Sequence, residues 1–273
     1  MNMVGNLSED PLPPVEPGRK MTSEEARTYV DGIYERTYKK WDERVNNSWF
    51  MRELSMGKLP KEAIQLFWLN YYGFVSEINN IIASVYQKHQ GFFKRHSTLN
   101  AAFASKIGEE LMYPKPPGHI LIVVEQGKAF GLTEEQMVNY SMLTECRALL
   151  DWHRGLLYEG TIVEFWSALA DEEPVGLWAK KFREALMKNY DFKMEQTKYF
   201  KTHEEADLET HSHLEKEAMP HGEFNRVVLQ KLLENGEAYF RPGYSAEYCA
   251  LTSVDAFGLY LDGIEKHFRR KAQ

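Results

Sequence analysis

The sequence predicts an all-α protein, a single-domain bundle of about seven or more helices. Three observations carry that expectation. Apolar residues recur at helical spacing over long stretches, the breaks between stretches fall on glycine and proline, and no run alternates apolar with polar residues as a half-buried strand must. With 273 residues, of which 43% are hydrophobic, the chain can fill one sizeable core. Neither an internal repeat nor a low-complexity block interrupts it.

Residues 1–20 hold four of the eleven prolines and no apolar period, so they read as a flexible leader, with the helical domain over 21–273. A helix starts at Thr22-Ser23-Glu24-Glu25, where a hydroxyl can accept from unsatisfied N–H groups and the acids suit the dipole. Helices are then expected near 23–45, 60–90, 97–112, 117–130, 134–157, 160–170, 175–189, 194–217, 222–236 and 245–270. Their boundaries lie at Gly57 with Pro60, at Gly91, at the Pro114, Pro116, Pro117 and Gly118 run, at Gly131-Leu132-Thr133 and at Arg241-Pro242-Gly243.

The charge balance excludes some functions. Forty acidic against thirty-three basic residues give a net charge of -7, which argues against a nucleic-acid surface. The basic cluster HFRRK at 267–271 suits a helix C-terminus, where cations meet the carbonyl dipole. Cys146 and Cys249 lie far apart without CxxC spacing, so buried thiols in a reducing cytoplasm are expected rather than a disulfide framework or a zinc ribbon. The N-terminus lacks the charged-then-apolar order of a secretion signal, and no window approaches the roughly 18 apolar residues of a membrane span. A cytoplasmic protein is the expectation.

Chemistry is suggested first by HEEADLETH, residues 203 to 211. At about 3.6 residues per turn each step of four drifts only ~40°, so His203, Asp207 and His211 share one helix face. A metal would explain the pattern, as would a solvated face among Glu204, Glu205 and Glu209. His213 falls on another face, and His89, His96, His153, His221 and His267 read as surface or packing residues. Metal sites in bundles draw acids from other helices too. Glu77 sits in the apolar stretch FWLNYYGFVSEINNIIASVY, where a lone carboxylate would cost several kcal/mol to bury; alternatively it lies on the solvated side with Asn79 and Asn80. Glu109 and Glu110 end one helix, the proline-rich turn reverses the chain, and His119 opens the next, so the two ends can meet; a loop acid and a capping histidine are the alternative. The Glu172-Glu173-Pro174 corner is the remaining acid source, or else the three acids Asp171 to Glu173 are a solvated helix end.

Taken in order, Glu77, then Glu109-Glu110 with His119 before an apolar helix ending in AFGLT, then YFxxHxxxDxxxH, resemble the haem-oxygenase-like diiron oxidases and oxygenases. Those enzymes share their fold with thiaminase-II and pyrroloquinoline quinone synthase proteins. The resemblance covers most of residues 60–265 and lies in order and spacing more than in any one motif. It implies two iron ions held by Glu77, Glu110, His119, one of Glu172 or Glu173, His203, Asp207 and His211. O₂ would be the co-substrate, and the oxidised molecule a small amino or carboxylic acid. Mixed N/O ligation suits iron, and carboxylates that would repel one another in a dry core would offset its charge. The family also implies a homodimer and an external electron donor.

Arg147 and Arg154, seven apart on one helix face, either clamp a substrate carboxylate or form surface ion pairs. Tyr72, with Trp68, Tyr71, Phe74, Trp152, Phe165 and Trp166, either lines a pocket or is core. Two other readings remain: a metal-free enzyme of the thiaminase-II or quinone-synthase kind, and a helical interaction protein. Thiaminase-type relatives use a cysteine nucleophile, and neither Cys146 nor Cys249 has such a context.

Overall fold

In the computed structural model, residues 10–208 and 219–271 are described, and among them there is no β-strand. Helix α1 (Ser23–Trp41) begins where expected: Thr22 Oγ1 accepts from the Glu25 N–H while the Glu25 carboxylate accepts from the Thr22 N–H, a reciprocal capping box. A π-helical turn over Asp42–Asn46 continues it, and the Ser48 hydroxyl caps a short helix α2 (Trp49–Ser55). Helix α2 was not expected, because seven residues are too few to display a period.

The long α3 (Lys61–Lys88) is followed by α4 (Gln90–Arg95) and α5 (Ser97–Met112). After the proline-rich turn come α6 (His119–Ala129) and α7 (Glu134–Val138), the latter started by a second capping box between Thr133 and Gln136. The single helix expected over 134–157 is in fact two, since α8 starts only at Thr144 and runs to Glu159. The break is held by Asn70 of α3, whose side-chain oxygen accepts from the Leu143 N–H at 2.8 Å, a tertiary bond that local pattern cannot reveal.

Helix α9 (Ile162–Ala168), a 3₁₀ turn (Leu169–Asp171) and α10 (Glu172–Asn189) run on without a gap. The Glu172-Glu173-Pro174 stretch is therefore no corner but the first turn of α10, where proline lacks an N–H that would be unsatisfied anyway. A 3₁₀ turn (Met194–Thr197) leads into α11 (Lys198–Leu208), and α12 (His221–Asn235) and α13 (Ala246–Lys271) complete the bundle. Of the leader expected over 1–20, residues 10–20 lie against the body: the Leu12 N–H donates to Glu247 of α13, and Arg36 of α1 donates to the Asp10 carbonyl.

Helix α13 packs on α8, α9, α1 and α3, and α10 packs along α11. Two apolar clusters result. One gathers Trp41, Phe67, Trp68, Trp178, Phe200 and Tyr260; the other gathers Phe93, Phe103, Trp166, Phe224 and Leu229. No helix among the described residues is long and apolar enough to cross a membrane.

Candidate metal centre

Between the two clusters is a cavity of about 100 Å³, walled by Tyr71, Val75, Leu149 and Phe257 from the first and Ile78, Ile82 and Leu169 from the second. Its polar wall comes from helices α3, α5, α8, α10, α11 and α12 and from Asp171 of the 3₁₀ turn.

Helix α5 contributes Lys106 and Glu110, four residues apart and so on one face, beside the buried Phe103. Gly118 then sets the approach of α6. Its φ is +84°, and a Cβ there would lie 2.0 Å from the Glu110 carbonyl oxygen, so the backbones can touch only at glycine. That contact places His119, the first residue of α6, with its Nδ1 2.8 Å from Glu110 Oε2.

Helix α11 supplies His203. Tyr199, one turn earlier, is anchored by a 2.9 Å bond from its hydroxyl to that of Tyr71, and its carbonyl lies 3.1 Å from His203 Nδ1. A carbonyl at that distance takes the Nδ1 proton and puts the ring lone pair on Nε2, an arrangement common behind metal-binding histidines. Donor atoms of Glu110, His119 and His203 all lie within 4.8 Å of one another. Two imidazoles and a carboxylate, drawn together at the edge of a cavity, suit a transition-metal ion that takes mixed N/O ligands.

The electrostatics agree with a cationic occupant. Burial alone would raise the Glu110 carboxyl, yet the His119, His203 and His221 imidazoles hold it well below the usual carboxylate range. Glu172 lines the same cavity, and burial is again outweighed, here by Lys106, His221 and Asn225, so its carboxyl is lowered too. Lys106 Nζ donates to Glu172 Oε2, which also accepts from Asn225 Nδ2 at 2.8 Å. Asp171 behaves oppositely: burial and the charge of Glu172 push its carboxyl up to about 8.

The residues singled out from sequence are thus partly brought together. Glu110, His119 and His203 meet, and Glu172 joins their cavity. Glu173 points the other way: its carboxylate accepts from Tyr38 Oη and from Arg226 Nε, both at 2.7 Å, which ties α10 to α1 and α12. Glu77 is half-exposed and is gripped by Arg147 and Arg154 of α8, outside the cavity wall. The two arginines accordingly clamp a carboxylate, but it is the protein's own; an ionised acid near the surface is held more cheaply by guanidinium than by burial. Asp207 lies on α11 one turn beyond His203, with its side chain outside the described residues, and His211 is outside them entirely.

Tyr72 does not line the cavity, whereas Tyr71 and Phe74 do, because the inner face of α3 runs through 71, 74, 75, 78 and 82. Trp68, Phe165 and Trp166 are core. Lys106 was missed from sequence, and His153 and His221, expected as surface or packing residues, line the cavity with it. His153 is wholly buried, its Nδ1 2.9 Å from the Leu149 carbonyl and its Nε2 3.2 Å from Ser253 Oγ, and burial lowers its imidazole. The available signal for His221 was position: it follows Pro220 at a helix start, as His119 follows Gly118.

No family model matches the sequence, and no curated protein matches it significantly. Solved structures do. A TenA homologue from Pseudomonas syringae pv. tomato superposes with a TM-score of 0.67 at 14% identity, covering 94% of this chain and all (100%) of the other. A domain of unknown function with a haem-oxygenase-like fold from Shewanella denitrificans gives 0.66 at 16% identity, over 88% of this chain and 93% of the other. A TenA homologue from P. horikoshii gives 0.57 at 16%, over 88% and 98%. The chain therefore has the haem-oxygenase-like all-α fold. At such identities the likeness establishes architecture, and function has to be argued from the site.

Proposed function

We propose that this protein is a non-haem iron enzyme that uses O₂ to oxidise a small amino or carboxylic acid. The convergence of Glu110, His119 and His203 beside a cavity that Glu110 and His203 line carries the reading. Those three would hold a first iron ion, and Glu172, with Asp207 and His211 by resemblance, would serve a second. Bound iron would supply the electrons that O₂ takes up.

The chain's own groups do the rest. Phe74, Val75, Ile78, Ile82, Leu149 and Phe257 give an apolar wall that selects a small apolar body and keeps water out. Lys106 is the cationic side chain of that wall that a substrate carboxylate could face, in place of the arginine clamp. Asp171, whose carboxyl is pushed up by burial, is a polar group of the wall that a substrate could hydrogen-bond.

The metal-free reading of the same fold asks for a nucleophile facing the cavity. Cys146 and Cys249 are both buried elsewhere, and burial pushes their thiols up, Cys249 to about 12. Anaerobic Fe(II) loading followed by O₂, with and without candidate amino and carboxylic acids, tests the proposal. Iron uptake and a substrate-accelerated optical transient are expected; a chain that takes up no iron turns the reading toward metal-free chemistry.

A further inference from the structure

One charge pair in the cavity is unusual. Lys106 is 4% exposed, so its ammonium has left water and needs a fixed anion. That anion is Glu172, 17% exposed, which reaches the cavity from α10 and is steadied by the fully buried Asn225. Lys106 stands one helical turn before Glu110 and lines the same cavity as Glu110 and His203 of the three-donor cluster. Glu172 is not a member of that cluster among the described residues.

We infer that the Lys106 ammonium is a tethered cation that holds Glu172 where a second metal ion would otherwise sit. The inference rests on the iron reading and adds an order of loading to it. A first ion enters at Glu110, His119 and His203, where among the described residues no ammonium pairs with the carboxylate. A second ion must take Glu172 from Lys106, leaving a buried ammonium to find another partner, and so it binds more weakly.

Anaerobic Fe(II) titration by calorimetry, backed by iron content after equilibrium dialysis, tests this without any activity measurement. The wild-type chain should take one equivalent tightly and a second at least about tenfold more weakly, a difference within the usual range of coupling between sites. Lys106→Met keeps the aliphatic stem and removes the charge, and should strengthen the second equivalent by a similar factor; Lys106→Gln replaces it if the methionine variant does not fold. Lys106→Arg should keep the wild-type gap. Equal affinities in the wild type, or a second equivalent that charge removal leaves unchanged, would overturn the Lys106 assignment alone. Absence of the first equivalent as well would instead overturn the iron reading on which it rests.

Discussion

At Gly118 the site depends on the absence of a single carbon. A methyl group there meets the Glu110 carbonyl at 2.0 Å and Leu111 backbone atoms at 2.6 Å, in a backbone conformation that L side chains resist. Gly118→Ala should cost at least about 2 kcal/mol in urea unfolding and weaken metal uptake through a displaced His119. Gly155 in α8 is the control, since a Cβ there has nothing within 4 Å: Gly155→Ala should gain about 0.5–1 kcal/mol. Glu164 offers a second residue-level test, away from the cavity. Its carboxylate is fully buried and accepts from Arg241 N–H at 2.6 Å and Arg241 Nε at 2.8 Å. Glu164→Leu removes the acceptor of the Arg241 N–H and leaves the guanidinium, among the described residues, only Glu159 and the Tyr244 ring, and should lower stability by about 1–3 kcal/mol.

His89 makes a pH prediction. Burial first, and the neighbouring Lys88 charge second, press its imidazole down to about 4 from an ordinary 6.5. The unfolded chain therefore binds the proton more readily between these values. His89 contributes stability that is complete above pH 6.5 and is lost as pH falls towards 4, and His89→Gln should flatten the urea midpoint over that window.

Neighbouring acids on one helix separate structure from site. Glu172 and Glu173 open α10 on different faces, the first towards the cavity and the second towards Arg226, whose guanidinium also stacks 3.6 Å over the Tyr34 ring. Glu173→Ala should cost about 1–3 kcal/mol of stability and leave iron uptake intact. Glu172→Ala should remove the weaker iron equivalent and spare the first. Element positions were largely legible: α1, α5 and α13 begin and end within a few residues of their capping and breaking signals. What local pattern could not convey was direction. Spacing placed Glu77 in an apolar stretch of α3, but the arginines that draw it outward lie some seventy residues later on α8 (|i−j| of 70 and 77). Of the Tyr71-Tyr72 pair Tyr72 was the expected substrate contact, yet Tyr71 lines the cavity, and its hydroxyl contact with Tyr199 is visible only once α3 and α11 are packed. Glu110 and His119 were legible because the chain itself reverses between them.

Across the whole molecule, two apolar clusters share the bundle and leave the cavity where they meet. Polar groups from α5, α10, α11 and α12 line it, and His119 of α6 stands beside Glu110 at its edge. A fold shared with TenA homologues is compatible with more than one chemistry, and the convergence of three donor groups is what favours metal. The most direct measurement is iron content after anaerobic Fe(II) loading and desalting, for the wild-type chain and for His119→Ala and His203→Ala, with helicity followed by circular dichroism. The wild type should retain iron, and each variant should lose the tightly held equivalent while staying helical. A wild-type chain that emerges without iron, or a His203→Ala chain that keeps its full content, would contradict the account.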